Sequence, residues 1–261
     1  MTNSSKVIAL EARLKGCRNV NTLGVRPNFS DYSDEEANMI RNAGKIYYPT
    51  TFYADLFDAM GKKTFPSYHT YKCVQDKIKQ TALFNLLKIP HPRTRVFYGK
   101  RQKKIITDHF QFPLIGKIPR GSAMGRGVYL IKNKDDLDAY LQVTGPAYIQ
   151  EYLAIDRDVR VVIIGKKIVH SYWRIASEGE FRSNVALGGV VSLDPVPAEA
   201  LDLALHTTKI CQWDDVGIDI CMYNKKFYVL EANMKYGKEG FRKAGIDYKE
   251  LMETMIDNEE I

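Results

Sequence analysis

The chain has 261 residues, 45% hydrophobic and 26% charged, enough to bury a sizeable core, which excludes a disordered or collagen-like segment. Lys+Arg 38 against Asp+Glu 31 gives a net charge of +7, which favours anionic partners; the phosphates of a small ligand satisfy it as well as a nucleic acid does. A mean hydropathy of -0.30 and the lack of any apolar run near ~18 residues exclude a spanning helix, and residues 1–10 lack the basic-then-apolar pattern of a secretory leader, so a cytoplasmic location is expected.

Residues 1–70 read as a small mixed segment, with a strand at Val7–Leu10 and a helix opened by caps within Ser30–Ser33 and an acidic first turn, Asp34-Glu35-Glu36. A second helix over Thr51–Met60 closes at Gly61. A third is predicted over Tyr71–Leu87, because Val74, Ile78, Ala82 and Leu86 recur at helical spacing before Ile89-Pro90-His91-Pro92 forces an extended exit. Short strands follow at Arg95–Tyr98, Pro113–Ile118 and Gly127–Ile131, then a helix over Asp135–Leu141 and a strand at Ala147–Tyr152. Asp158–Ile164 and Ile168–Arg174 form the clearest hairpin, turning at Gly165-Lys166-Lys167. A polar loop over residues 177–197 leads to a helix at Ala198–Cys211. A second hairpin pairs Val216–Tyr223 with Phe227–Asn233, and the chain ends in a helix over Tyr248–Ile256. Strands gathered into hairpins predict α+β layers with antiparallel sheets rather than a doubly wound parallel sheet.

Cys17, Cys73, Cys211 and Cys221 form no CxxC pair and have no histidine at zinc-finger spacing, so reduced, mostly buried thiols are expected. The five histidines form no metal-binding pair, and the scattered lysines and arginines form no nucleic-acid arm.

Three constellations carry chemistry. Lys117 ends a strand and precedes a loop with Gly121, Ser122, Gly125 and Gly127; this is either a tight turn or a cradle whose backbone N–H groups reach phosphate oxygens. Asp219, Glu231 and Asn233 lie on two paired strands, and a suitable register brings these oxygen donors together, suiting magnesium; the alternative is an exposed polar strand face. Arg160, Arg174 and Arg182 with Asn184 form a cationic group suited to phosphate or carboxylate, with an Asp158–Arg160 ion pair as the competing reading.

Taken in order, Asp76-Lys77, Ile89–Thr94, the loop from Lys117 to Gly127, Gln150-Glu151-Tyr152, Asp158-Val159-Arg160, Arg174, Phe181–Asn184, Gly188-Gly189, Gly217–Ile220 and Glu231-Ala232-Asn233 resemble the ATP-grasp superfamily, in particular its RimK-like carboxylate–amine ligase branch. The resemblance covers roughly residues 71–245. It implies two α+β subdomains clamping ATP, at 71–149 and 150–261, preceded by a shortened N-terminal α/β segment at 1–70. It further implies that Lys77 and Lys117 contact phosphates, with Gly121, Ser122, Gly125 and Gly127 in a mobile lid. Gln150, Glu151 and Tyr152 read adenine and ribose, with Asp158 on the ribose side. Asp219, Glu231 and Asn233 hold magnesium, with manganese as an alternative, and Arg174, Arg182 and Asn184 face the γ-phosphate and the acyl intermediate.

The implied activity is ligation: a carboxylate of an amino acid or peptide is activated as an acyl phosphate and joined to an amine. A kinase that phosphorylates a hydroxyl, or a nucleotide-binding module without turnover, are the alternatives. The implied partners are small-molecule or peptide carboxylates and amines, without nucleic acid or membrane, and a homo-oligomer is compatible. Lys235 and Lys238, after Asn233, are read either as exposed turn lysines or as contacts to an acidic substrate.

Overall fold

The computed structural model describes residues 6–121, 127–177 and 188–261. In the N-terminal part, β1 (Val7–Ala9), β2 (Val20–Thr22), α1 (Asp34–Asn42), β3 (Lys45–Tyr47), α2 (Thr50–Ala59) and β4 (Lys63–Phe65) build a sheet in the order β2-β1-β3-β4. All its pairings are parallel. Three of these strands escaped the sequence reading because each has only three residues, too short to show a period. Ser33 is the cap of α1: its hydroxyl accepts from Glu36 N and the Glu36 carboxylate in turn accepts from Ser33 N, whereas Ser30 lies in the preceding 3-10 turn.

The predicted helix over Tyr71–Leu87 is two helices, α3 (Tyr68–Val74) and α4 (Lys77–Leu87). Asp76 breaks it, its Oδ1 accepting from Ile78 N at 3.0 Å and Lys79 N at 3.3 Å as an N-cap. The apolar stripe also fails: α4 buries Gln80, Thr81 and Phe84, while Leu86 is 80% exposed. Next come β5 (Thr94–Phe97), α5 (Gly99–Lys103), α6 (Ile106–His109), β6 (Leu114–Lys117), β7 (Val128–Ile131), α7 (Lys134–Val143) and β8 (Ala147–Glu151). These strands form an antiparallel sheet in the order β5-β8-β6-β7, over a core of Phe97, Leu114, Ile131, Leu137, Tyr140 and Ile149.

The rest comprises β9 (Arg157–Ile164), β10 (Lys167–Ile175), β11 (Val190–Ser192), α8 (Ala198–Cys211), β12 (Asp215–Tyr223), β13 (Lys226–Asn233), α9 (Glu239–Lys243) and α10 (Tyr248–Asp257). Its antiparallel sheet runs β11-β10-β9-β12-β13. Both predicted hairpins form.

The central strand β9 shows how sequence alternation places the site. Val159, Val161 and Ile163 pack with Ala200 and Ala204 of α8. The opposite face begins with Asp158 and Arg160 and continues as Val162 and Ile164, which join Tyr47, Tyr48, Phe241 and Met252 in a second core shared with the N-terminal sheet. Period two thus sorts one strand into an apolar face and a face that is charged at one end. The four cysteines are free, and among the described residues no helix is long and apolar enough to cross a membrane.

Candidate active site

The charged end of β9 meets its neighbours in register: Arg160 lies opposite Asp219 of β12 and Tyr172 of β10, and Asp158 lies opposite Arg174. The ion pairs differ from the expected Asp158–Arg160 contact. Arg174 makes a fork with Asp158 at 2.7 and 2.8 Å and also reaches Asp219 Oδ2 at 2.8 Å. Arg160 forks onto Asp219 through Nε and Nη2, and its Nη1 donates to Tyr236 O at 2.7 Å. Cross-strand partners face each other, and each arginine here takes the carboxylate on a neighbouring strand.

Gly217 makes room for this arrangement, since a Cβ there would lie 2.8 Å from Arg160 Cδ and 2.5 Å from Tyr236 Cβ. Burial opposes the charge of Arg174, but Asp158 and Asp219 raise its pKa above the ordinary guanidinium value. Burial pushes the Asp219 carboxyl up while Arg160 and Arg174 pull it down.

Asp219 also lies opposite Glu231 in the β12–β13 ladder, with a bulge immediately after, and Asn233 Nδ2 donates to Glu231 Oε1 at 2.9 Å. The register thus places Asp219 beside Glu231, and Asn233 beside Glu231 on the same strand. Lys77 Nζ sits 3.6 Å from Glu231 Oε2. Burial disfavours the Glu231 carboxylate, yet Lys77, Lys117 and the Asn233 amide outweigh it and hold its pKa down at about 2.

Lys117 is 7% exposed, its ammonium 5.9 Å from the Tyr148 ring centroid. Burial, followed by repulsion from Lys77, pushes its pKa down against the attraction of Glu231. Two lysines around one carboxylate leave a positive excess.

Two carboxylates and the Asn233 amide oxygen are hard donors, and among the described residues no further His, Cys, Asp or Glu joins them as a metal cluster. Among the described residues Asp219 Oδ2 receives Arg160 and Arg174, whereas Oδ1 receives Arg160 Nε alone. The set fits magnesium, an ion that takes only a few protein oxygens and completes its shell with water and phosphate.

Gln80 sets the Lys77–Glu231 geometry and was missed in the sequence. Its amide exchanges hydrogen bonds with the Ala232 backbone, donating to Ala232 O at 2.9 Å and accepting from Ala232 N at 2.8 Å. A polar residue at a core position of a helix, three residues after a lysine, was the available signal.

The glycine-rich loop is described only at its base. Gly121 and Gly127 have φ of +71° and +76°, a region that favours glycine, and Ile118 N donates to Gly127 O at 2.7 Å. Pro119 O accepts from Lys77 N at 3.2 Å and Arg120 Nε donates to Asp76 Oδ2 at 2.8 Å, tying the loop base to the start of α4. Ser122 and Gly125, and likewise Arg182 and Asn184, lie outside the described residues.

Gln150 is buried and donates to Thr94 Oγ1 at 2.9 Å; Glu151 exchanges bonds with the Arg93 backbone, and Tyr152 is half-buried. The side chains of Gln150 and Glu151 are thus engaged within the protein. Asp158, assigned to the ribose side by resemblance, has both carboxylate oxygens on Arg174.

A second network, unseen in the sequence, ties the N-terminal segment to this site. Asp215, fully buried, accepts from Tyr48 OH at 2.9 Å and Tyr236 OH at 2.8 Å. Arg13 stacks on the rings of Tyr48, Tyr236 and Tyr248 with centroid distances of 5.3, 4.7 and 5.6 Å, and its Nη1 donates to Met234 O at 3.1 Å. Tyr236 therefore joins Arg13 and Asp215 to Arg160, and through it to Asp219. Tyr48 lies 167 positions from Asp215 and Arg13 lies 221 from Met234, so no local pattern reports these contacts.

Two antiparallel sheets with a charged cleft on their facing strands define an ATP-grasp fold. The architecture is shared with an ATP-grasp RimK domain protein from Sphaerobacter thermophilus (TM-score 0.70, 16% identity, covering 96% of this chain and 98% of that one). It is shared also with the ATP-grasp ligase PsnB, solved with Mg and ADP (TM-score 0.72, 14% identity, covering 99% of both chains). The family model for the RimK-like ATP-grasp domain matches residues 74–256, and the chain belongs to that family.

Among curated proteins, a Danio rerio beta-citrylglutamate synthase B is 32% identical over 64% of this chain, and an Escherichia coli ribosomal protein bS6–L-glutamate ligase is 29% identical over 70%. The matches span 44% and 63% of those two proteins' lengths.

Proposed function

We propose that the chain is an ATP-dependent carboxylate–amine ligase. The observation that carries this reading is the excess of positive charge formed by Lys77 and Lys117 around Glu231, beside a buried Asp–Arg network that fixes the third oxygen donor, Asp219. Membership of the family and the names of the two relatives, both glutamate-joining enzymes by those names, support it.

Lys77 and Lys117 would take phosphate oxygens of ATP. Asp219, Glu231 and Asn233 would hold magnesium, or manganese in its place, which neutralises the triphosphate when bound. A substrate carboxylate oxygen attacks the γ-phosphorus and the bond to ADP breaks, giving an acyl phosphate. The amine nitrogen then attacks the acyl carbon, phosphate leaves, and the nitrogen loses a proton.

Arg174 uses Nε and Nη2 on its aspartates, so among the described residues its Nη1 donors are left for charge developing on the transferred group; Arg182 and Asn184 are assigned there by resemblance. Catalysis of this kind is positioning and electrostatics, requiring no protein nucleophile.

Hydroxylamine trapping tests the reading. A carboxylate substrate should stimulate ADP release, and hydroxylamine should convert the intermediate to a hydroxamate. ADP with a stable phosphomonoester and no hydroxamate would make the chain a kinase instead.

A further inference from the structure

β13 carries two of the three oxygen donors, Glu231 and Asn233, yet its ladder to β12 is interrupted just before them. Asp219 faces Glu231 and Ile220 faces Val229, so Leu230 is the extra residue of a bulge. A bulge bends its strand and disrupts pairing locally, so the ladder does not by itself fix where the end of β13 points. β13 is also an edge strand of its sheet.

Groups from elsewhere in the chain bond that edge. Before the bulge, Val229 N donates to Pro90 O at 2.8 Å. After it, Ala232 N donates to Gln80 Oε1 at 2.8 Å, Ala232 O accepts from Gln80 Nε2 at 2.9 Å, and Met234 O accepts from Arg13 Nη1 at 3.1 Å. Outward positions at 229, 232 and 234 are the parity of an antiparallel strand with one residue inserted.

The Gln80 amide therefore pairs with Ala232 as a neighbouring strand would. Its other N–H donates to Val74 O at 2.6 Å, so both donors are used. Gln80 is 2% exposed and Ala232 1%, and burial keeps water from competing for these bonds. Packing would be met by an apolar side chain at position 80; the amide is spent on backbone groups beside the oxygen donors. Lys77 and Gln80, three apart, share one face of α4 and meet consecutive residues of β13, Lys77 at Glu231 and Gln80 at Ala232. Alternation puts Glu231 and Asn233 on one face of β13 while Ala232 packs into the core on the other. The held residue lies between the two donors, so holding it places both.

We propose that Gln80 is a positioning residue for the divalent cation: by tying Ala232 to α4 it sets Glu231 and Asn233 against Lys77 and Asp219, and so sets metal affinity. This deepens the ligase reading and rests on its metal assignment. Partners that orient metal ligands from behind govern affinity although they never touch the ion.

The test uses the full chain with ADP and Mn2+, an ion that oxygen donors accept in place of Mg2+ and whose free form is counted by electron spin resonance. Gln80→Ala leaves room for water to satisfy the Ala232 backbone without tying it to α4, and Gln80→Met is the harsher variant. In both, Mn2+ affinity should fall about tenfold or more. ADP release should show a raised metal requirement, with kcat at saturating Mg2+ close to the wild-type value. Phe84→Leu is the control. Phe84 is buried on the same helix against His91 and Trp213, so the change lowers the melting temperature, keeps the bonds to Ala232 and should leave Mn2+ affinity unchanged. Glu231→Gln supplies the reference loss.

Unchanged affinity in Gln80→Ala, or an equal loss in Phe84→Leu, with Glu231→Gln impaired, overturns the inference and leaves the metal assignment standing. Unchanged affinity in Glu231→Gln overturns the metal assignment and the inference with it. Mn2+ binding that depends on Gln80, without ADP release or hydroxamate, supports the inference and removes the ligase reading.

Discussion

Two clusters of charge share the β12–β13 hairpin and are built on opposite plans. Asp158, Arg160, Arg174 and Asp219 balance one another, are each 5% exposed or less, and Arg174 alone makes contacts of 2.7 and 2.8 Å. Lys77, Lys117 and Glu231 do not balance: the Lys77–Glu231 contact is 3.6 Å, with side chains 14% and 23% exposed. A balanced cluster fixes geometry, and what it keeps for a ligand is a lone pair of Asp219 Oδ1 and the Nη1 donors of Arg174. An unsaturated one with a positive excess awaits an anion. The difference teaches that the number of arginines near a site is a poor guide to phosphate contacts until their carboxylate partners are counted.

The sharpest break in this comparison is Arg174→Met. It leaves Asp158 buried without its fork partner and takes one of two guanidiniums from Asp219, an uncompensated burial that costs about 3–5 kcal/mol. Urea unfolding should show the loss, and Arg174→Met combined with Asp158→Leu should recover part of it. A stability unchanged by Arg174→Met would mean that this cluster does not hold the sheet together.

Lys117→Met should do the reverse. Removing a buried ammonium that burial and Lys77 both disfavour should leave the melting temperature unchanged or higher, while ATP affinity falls about tenfold or more. Calorimetry and thermal melting separate the two. A sharp fall in melting temperature with unchanged affinity would place Lys117 with the structural cluster.

The sequence carried the antiparallel sheets well, and for a physical reason. β12 alternates over Asp215–Ile220 and β9 over Asp158–Val161 before its apolar run to Ile164, and their turns at Gly165 and Asn224 are short, so pairing and face are both encoded locally. The N-terminal parallel strands have three residues each and owe their existence to tertiary pairing. At α4 the apolar period ran on through a real break, because an N-cap aspartate at position 76 interrupts a helix without interrupting its pattern.

Within the site, identities were legible and partnerships were not. Asp219, Glu231 and Asn233 could be assigned to one hairpin, but which arginine takes which aspartate depends on register across three strands. The Arg13–Asp215–Tyr236 network depends on contacts that no local spacing records.

The smallest expected effect serves as a control outside both clusters. His170 lies on β10 with its ring centroid 5.2 Å from those of Tyr172 and Phe241, and Nε2–H donates to Gly240 O at 3.1 Å. Burial lowers its pKa below 6.5 and the Gly240 bond partly opposes this. Between the lowered folded value and 6.5 the unfolded chain binds more protons than the folded one, so stability rises with pH across that window. The contribution is complete above the ordinary histidine range and is lost as pH falls through it. The ring is half-exposed, so solvent screening keeps the effect under about 1 kcal/mol. Unfolding measured at about pH 7.5 and about pH 5.5 should show a larger acid-side loss in the wild type than in His170→Gln. Because neither charge cluster touches this ring, nucleotide affinity should be the same in both proteins at each pH; a variant that changes affinity would show that His170 communicates through Tyr172 with Arg174, which shares its face of β10.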